Sequence, residues 1–107
     1  MWYINNGGNM IKDIPIILCN NYFKRLKGFM LANKIDKILC FPKCNSIHSF
    51  FMFKSIDIIM TDKNNKVLYT YYNFKPWKII LPKKDVYYTY ELPINTIKVN
   101  IGDEFKY

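Results

Sequence analysis

Residues 44–62, CNSIHSFFMFKSIDIIMTD, constrain the fold more than any other stretch of this chain. Asp57 is set inside the apolar run Ile56, Ile58, Ile59 and Met60, and His48, the one histidine, precedes it. An ionisable group among residues of buried type costs free energy unless it is hydrogen-bonded or paired. The stretch must therefore be placed so that Asp57 meets Arg25, His48 or a group of main-chain N–H donors. Residues 56–62 read as a strand. Residues 63–66, Lys-Asn-Asn-Lys, read as a turn, because Asn tolerates positive φ, and 67–72 return as the hairpin partner.

The rest of the chain is punctuated at the same short interval. Residues 10–18 predict a strand, with Pro15 marking an edge position or a bulge. Asn20 or Asn21 is suited to cap a short helix over 22–27, ended by Gly28 at its C′ position. Residues 37–41 predict a strand stopped by Pro42, and 47–53 a further one, separated from 56–62 by a bend at Lys54-Ser55. His48, Phe50 and Met52 then alternate onto one face and Ile47, Ser49, Phe51 and Phe53 onto the other, which predicts a central strand covered on both sides. Residues 77–81 and 86–92 read as strands, a helical turn is expected near Thr96, and Gly102-Asp103 turn the chain into 104–107. The expected architecture is mainly β: a small antiparallel barrel or sandwich of about seven strands with one short helix. Phe41, Ile47, Phe50, Met52, Ile58, Met60, Val67 and Leu92 are the expected core.

At 107 residues the chain is read as one domain, with 1–9 as an N-terminal segment. Half of it is hydrophobic and 18% aromatic, the composition of a folded globule. The formal charge of +8 invites an acidic partner. Fifteen of the sixteen cations are lysines, however, and base readout and phosphate forks favour arginine, of which Arg25 is the single example. No specific nucleic-acid binding is expected. No membrane span or targeting segment is expected either, since the apolar run 14–19 is too short for one. Three cysteines exclude a fully paired disulfide framework, so reduced thiols and a cytoplasmic location are expected.

Four sets of motifs carry a resemblance. Cys44-x-x-Ile47-His48-Ser49-Phe50-Phe51-Met52, followed by residues 56–62 and by Lys63-Asn64-Asn65-Lys66-Val67, resembles the central signature of an uncharacterised prokaryotic family, domain of unknown function 192. Arg25-Leu26-Lys27-Gly28-Phe29-Met30 resembles its Arg-x-x-Gly-Leu-Met. Tyr90-Glu91-Leu92-Pro93 resembles its Leu-Glu-Leu-Pro, and Ile101-Gly102-Asp103 its closing Gly-Asp. The likeness runs from 19 to 105. The chain departs from the pattern at Asn95, where the family has Gly, and at Phe53, Lys54 and Ser55, where it has a basic residue, an apolar residue and proline. The segment 93–102 is also a helical turn shorter. The resemblance implies the fold, and no established activity comes with it. Similar chains are sometimes encoded near secretion or pilus-assembly genes, which implies an accessory role.

Four constellations are candidates for chemistry. Cys40, Cys44 and His48 are spaced like metal ligands, but Pro42 prevents a helix from gathering them, and paired Cys-x-x-Cys ligation is absent; no metal or other cofactor is assigned. Cys44 and His48, with Asp57 orienting the ring, would suit a thiol or acid–base hydrolase, against which stands the commoner role of cysteine as a small buried hydrophobe. His48 and Asp57 have structural readings of their own, as a satisfied core hydrogen-bonder and as a carboxylate capping main-chain N–H groups. Tyr71, Tyr72, Phe74, Trp77, Tyr87, Tyr88 and Tyr90 beside Lys75, Lys78, Lys83 and Lys84 suit stacking on bases or sugars, or plain cross-strand packing.

The reading that follows is a small binding or accessory module for an unknown small molecule or protein, acting as a monomer or weak dimer. Its candidate pocket is Arg25, Met30, Cys44, His48, Phe51, Met52 and Asp57, with no residue assigned to catalysis. The alternatives are the hydrolase and a purely structural domain.

Overall fold

The computed structural model of the chain describes residues 2–4, 14–21 and 27–106. Among them lie nine strands: β1 (Trp2–Ile4), β2 (Ile16–Leu18), β3 (Ile38–Pro42), β4 (Ile47–His48), β5 (Ile56–Thr61), β6 (Val67–Phe74), β7 (Ile79–Ile80), β8 (Tyr88–Leu92) and β9 (Glu104–Lys106). The middle of the arrangement is β5, all six of whose residues are buried. It pairs antiparallel with β6 on one side and β8 on the other. β3 and then β2 extend the row, giving the order β2-β3-β8-β5-β6, while β1 with β9 and β4 with β7 form two small antiparallel pairs. The fold is mainly β, as expected. Its five-stranded sheet is open, with β2 and β6 at the edges, so the layered alternative describes it better than a closed barrel.

One pairing departs from the antiparallel expectation. β2 runs parallel to β3, Ile16 opposite Ile38 and Leu18 opposite Cys40. A parallel pair needs a crossover of a dozen or more residues, which the link from 19 to 37 supplies. Pro15 precedes this edge strand, where a missing N–H disturbs no ladder, and its carbonyl accepts the Ile38 N–H at 2.8 Å. The helix expected over 22–27 lies, apart from Lys27, outside the described residues.

The two-residue period of the strands divides the core in two. Ile38, Cys40, Ile59, Tyr90 and Leu92 form one cluster, completed by Ile97, Val99 and Phe105 from the C-terminal segment. Leu39, Phe41, Ile56, Ile58 and Met60 form the other, beneath Phe29, Met52 and Ile80. Each such side chain fully withdrawn from water contributes about 1.5–3 kcal/mol. Of the expected core, Phe41, Met52, Ile58, Met60, Val67 and Leu92 are buried, Ile47 is half-buried and Phe50 is exposed.

Phe50 is out of place because the strand expected over 47–53 ends at His48. Buried Ser49 turns the chain there. Its hydroxyl donates to the Lys75 carbonyl at 2.6 Å and accepts the Lys78 N–H at 2.9 Å. Its main-chain N–H donates to Lys78 O, and its carbonyl accepts from Trp77 N–H, both at 2.9 Å. Phe51 follows at φ 61°, outside the β region. Phe50, Phe51 and Phe53 consequently face outward, with Phe51 edge-on to Trp77 at 4.7 Å between centroids. The hairpin turn, in contrast, forms where expected: Asp62 Oδ1 accepts N–H groups of Asn64 and Lys66, and Asn65 takes φ 68°.

Candidate functional site

A cavity of about 190 Å³ opens between the turn at 27–30, β4, β7 and the sheet. Among its lining residues are Met30, Cys44, His48 and Met52 from the expected pocket, together with Lys27, Phe41 and Glu91. Phe50, Ile79 and Leu81 contribute to the same lining and are themselves exposed, so the mouth is apolar.

The loop carrying Cys44 is pinned to the neighbouring strands. Its N–H donates to Tyr87 O at 3.0 Å, and Thr89 Oγ1 donates to Cys44 O at 2.8 Å. The Cys44 thiol donates to the carbonyl of Ser46 at 3.1 Å. His48 Nδ1 accepts the Phe50 N–H at 3.2 Å, which places the proton of the neutral ring on Nε2, and the imidazole stacks on Phe50 with centroids 5.0 Å apart. Among the described residues no hydrogen bond joins the Cys44 thiol to His48. Each group is engaged locally, which is not the arrangement of an activated thiolate–imidazole pair.

Glu91 is the residue that the sequence reading did not single out. It is the fourth of the five residues of β8, opposite Leu39 on one side and Ile58 on the other, and is 2% exposed. Its carboxyl group accepts the Phe29 main-chain N–H, while Oε1 has no hydrogen-bond partner among the described residues. Burial pushes its pKa up to about 8 from an ordinary value of 4.5, partly offset by the Phe29 hydrogen bond. The alternation of β8 alone does not report this burial; the place of β8 between β3 and β5 does. Thr89 and Glu91 share one face and Tyr88, Tyr90 and Leu92 the other, so a strand central in a two-faced sheet must bury the acid.

Asp57 lies elsewhere. Ile56, Ile58 and Met60 face the cavity-side cluster, and Asp57, one residue out of step, points away from it. It is 2% exposed, accepting Asn73 N–H on Oδ1 at 2.8 Å and Asn95 N–H on Oδ2 at 3.0 Å. Of the partners expected for it, the main-chain N–H cluster is the one found. The two donors sit at φ 57° and 63°, and the β5–β6 register shifts at Asp57 itself, so the carboxylate braces a bulge and a turn. The sheet thus separates Asp57 from Cys44 and His48. Phe51 points to solvent beside Trp77, and Arg25 lies outside the described residues.

The metal-like spacing of Cys40, Cys44 and His48 does not converge either. Cys40 packs in the cluster opposite the cavity, where burial pushes its thiol up to about 12. No disulfide joins Cys19, Cys40 and Cys44. Among the tyrosines, Tyr90 packs edge-on to Phe105, the Tyr72 hydroxyl bonds both the carbonyl and the N–H of Val99, and Lys98 lies 3.8 Å from the Tyr72 ring centroid. These are intramolecular uses. Among the described residues, no helix is long and apolar enough to cross a membrane.

Fold and cavity together define a small, mainly-β, two-faced open-sheet protein with a polar-tipped apolar pocket on one face. The chain belongs to the DUF192 family, described as "Uncharacterized ACR", whose model matches residues 3–107. No curated protein matches it. Two solved structures share the fold. One, from Sinorhizobium meliloti 1021, is described as a "putative transcription regulator"; it has 19% identity and a TM-score of 0.82, over 96% of this chain and 88% of that one. The other, a protein of unknown function from Novosphingobium aromaticivorans DSM 12444, has 17% identity and a TM-score of 0.77, over 99% of this chain and 82% of that one.

Proposed function

We propose that this chain is a binding module that holds a small ligand in the cavity lined by Met30, Cys44, His48, Met52 and Glu91. The observation that carries the reading is the composition of that cavity: apolar walls with a few convergent polar groups, one of them a buried carboxyl oxygen with no partner among the described residues. Such a group is costly to retain in a core. A ligand that satisfies it gives the arrangement a use. An accessory role in secretion or pilus assembly rests on the family resemblance alone, and hydrolysis by Cys44 and His48 has no support in how their hydrogen bonds are arranged.

The test is a fragment screen by amide-detected NMR. Binders should shift Phe29, Cys44 and His48 together, and Met30→Trp, which fills the cavity, should abolish those shifts without unfolding the protein. Hits that cluster away from these residues, or that are indifferent to the Met30→Trp block, defeat the proposal.

A further inference from the structure

Resting on that binding reading, we infer that the cavity takes a small apolar carboxylate, about the size of a single ring, whose head group accepts a hydrogen bond from the buried carboxyl of Glu91. Three observations support this ligand class. Glu91 is among the lining residues, and its Oε1, withdrawn from water, has no donor or acceptor opposite it among the described residues. The walls beside it are Phe41, Ile47, Met52 and Ile80. The volume of about 190 Å³ compares with the cavity of about 150 Å³ that accepts benzene.

The alternative occupant of such a site is a cation. Meeting one would require Glu91 to ionise among Leu39, Ile58 and Phe41, where burial disfavours its charged form. A neutral carboxyl needs only an acceptor. The surroundings point the same way: among the described residues Lys27 is the one lining cation, and the chain carries a formal charge of +8, which favours the approach of anions. The other titratable groups around the cavity are Cys44 and His48. Glu91, with its proton held up to about pH 8, is a donor at neutral pH. It is the same device as a carboxylic acid kept neutral by an apolar site so that it can donate.

Benzoate and benzylamine, matched in ring and opposite in charge, decide between the two. Benzoate should shift Phe29, Cys44 and His48 amides, and its affinity should fall about tenfold between pH 7 and pH 9 as the Glu91 proton is lost. Repeating the series in Cys44→Ser and His48→Gln should leave that fall in place. Glu91→Gln, which retains an N–H donor, should keep benzoate binding and flatten its pH dependence, whereas Glu91→Leu should abolish it. Benzylamine bound in preference, and more tightly as pH rises, overturns the carboxylate inference while leaving the binding reading intact. Failure of both probes and of every other fragment to touch these amides overturns both.

Discussion

Oε1 of Glu91 lies 3.1 Å from the point that a Cβ on Gly28 would occupy. Gly28 also holds φ at 49°, a conformation that costs other residues about 1–2 kcal/mol. The two facts act together, because the side chain that a substitution would press against is itself buried and held by the Phe29 N–H. Gly28→Ala should therefore destabilise the protein by about 1–3 kcal/mol in urea denaturation and displace the Glu91 carboxyl. A neutral result would mean that the turn after Lys27 relaxes freely, and the floor of the cavity with it.

Glu91 also gives the protein a signed pH dependence. Its folded pKa of about 8 lies above the ordinary 4.5, so the folded state holds the proton more tightly than the unfolded chain does. The stability of a group shifted upward is fully present below pH 4.5, is lost progressively as pH rises to about 8, and stays lost above that. The gap corresponds to roughly 5 kcal/mol at most. Wild type should lose stability between pH 5 and pH 8, and Glu91→Gln should lose much less over the same window. Parallel curves for the two proteins would show that the carboxyl is hydrated when folded.

Asp57 makes a different kind of prediction, because its two acceptor oxygens serve donors on separate segments. Asp57→Ala leaves the Asn73 and Asn95 N–H groups without their carboxylate at a buried position, each worth about 1.5–3 kcal/mol as a bond to a charged group. A loss of about 3–5 kcal/mol is expected, with Asp57→Asn intermediate, since its one oxygen can still accept a single N–H. Equal losses in the two variants would mean that charge, and not acceptor count, matters. Ligand binding in the cavity on the opposite side of the sheet should be unaffected in any variant that folds.

How far such features can be read from sequence depends on the range of the interactions behind them. The need of Asp57 for a donor was legible, because a carboxylate in Ile-Asp-Ile-Ile-Met has few affordable states. The turn over 63–66 was legible from two Asn residues. The strand over 47–53 was misread because the aromatic run His-Ser-Phe-Phe-Met satisfies a period of two whether or not the chain stays extended. What ends the strand is Ser49 bonding to Lys75 and Lys78, nearly thirty positions away, and no local pattern reports that. Glu91 was missed for the same reason. Its burial follows from β8 lying between β3 and β5, a long-range pairing, and in isolation the segment reads as a half-exposed alternating strand.

The Ser49 hydroxyl ties the turn after β4 to the loop before β7 by side-chain hydrogen bonds, and both strands line the cavity. Ser49→Ala removes the acceptor for the Lys78 N–H and the donor to the Lys75 carbonyl, while the two main-chain bonds between Ser49 and the same loop remain. Leaving two such groups unmatched should cost about 1–3 kcal/mol. The loss should be local, because β4 and β7 pair with each other and belong to a different sheet from β5. Amide hydrogen exchange should then speed up at Trp77 and Lys78 while β5 stays protected, since segments with few buried contacts open independently of the core. Unchanged exchange at Trp77 and Lys78 would show that the main-chain bonds alone hold the loop. A matching loss of protection in β5 would show that the two sheets unfold as one unit.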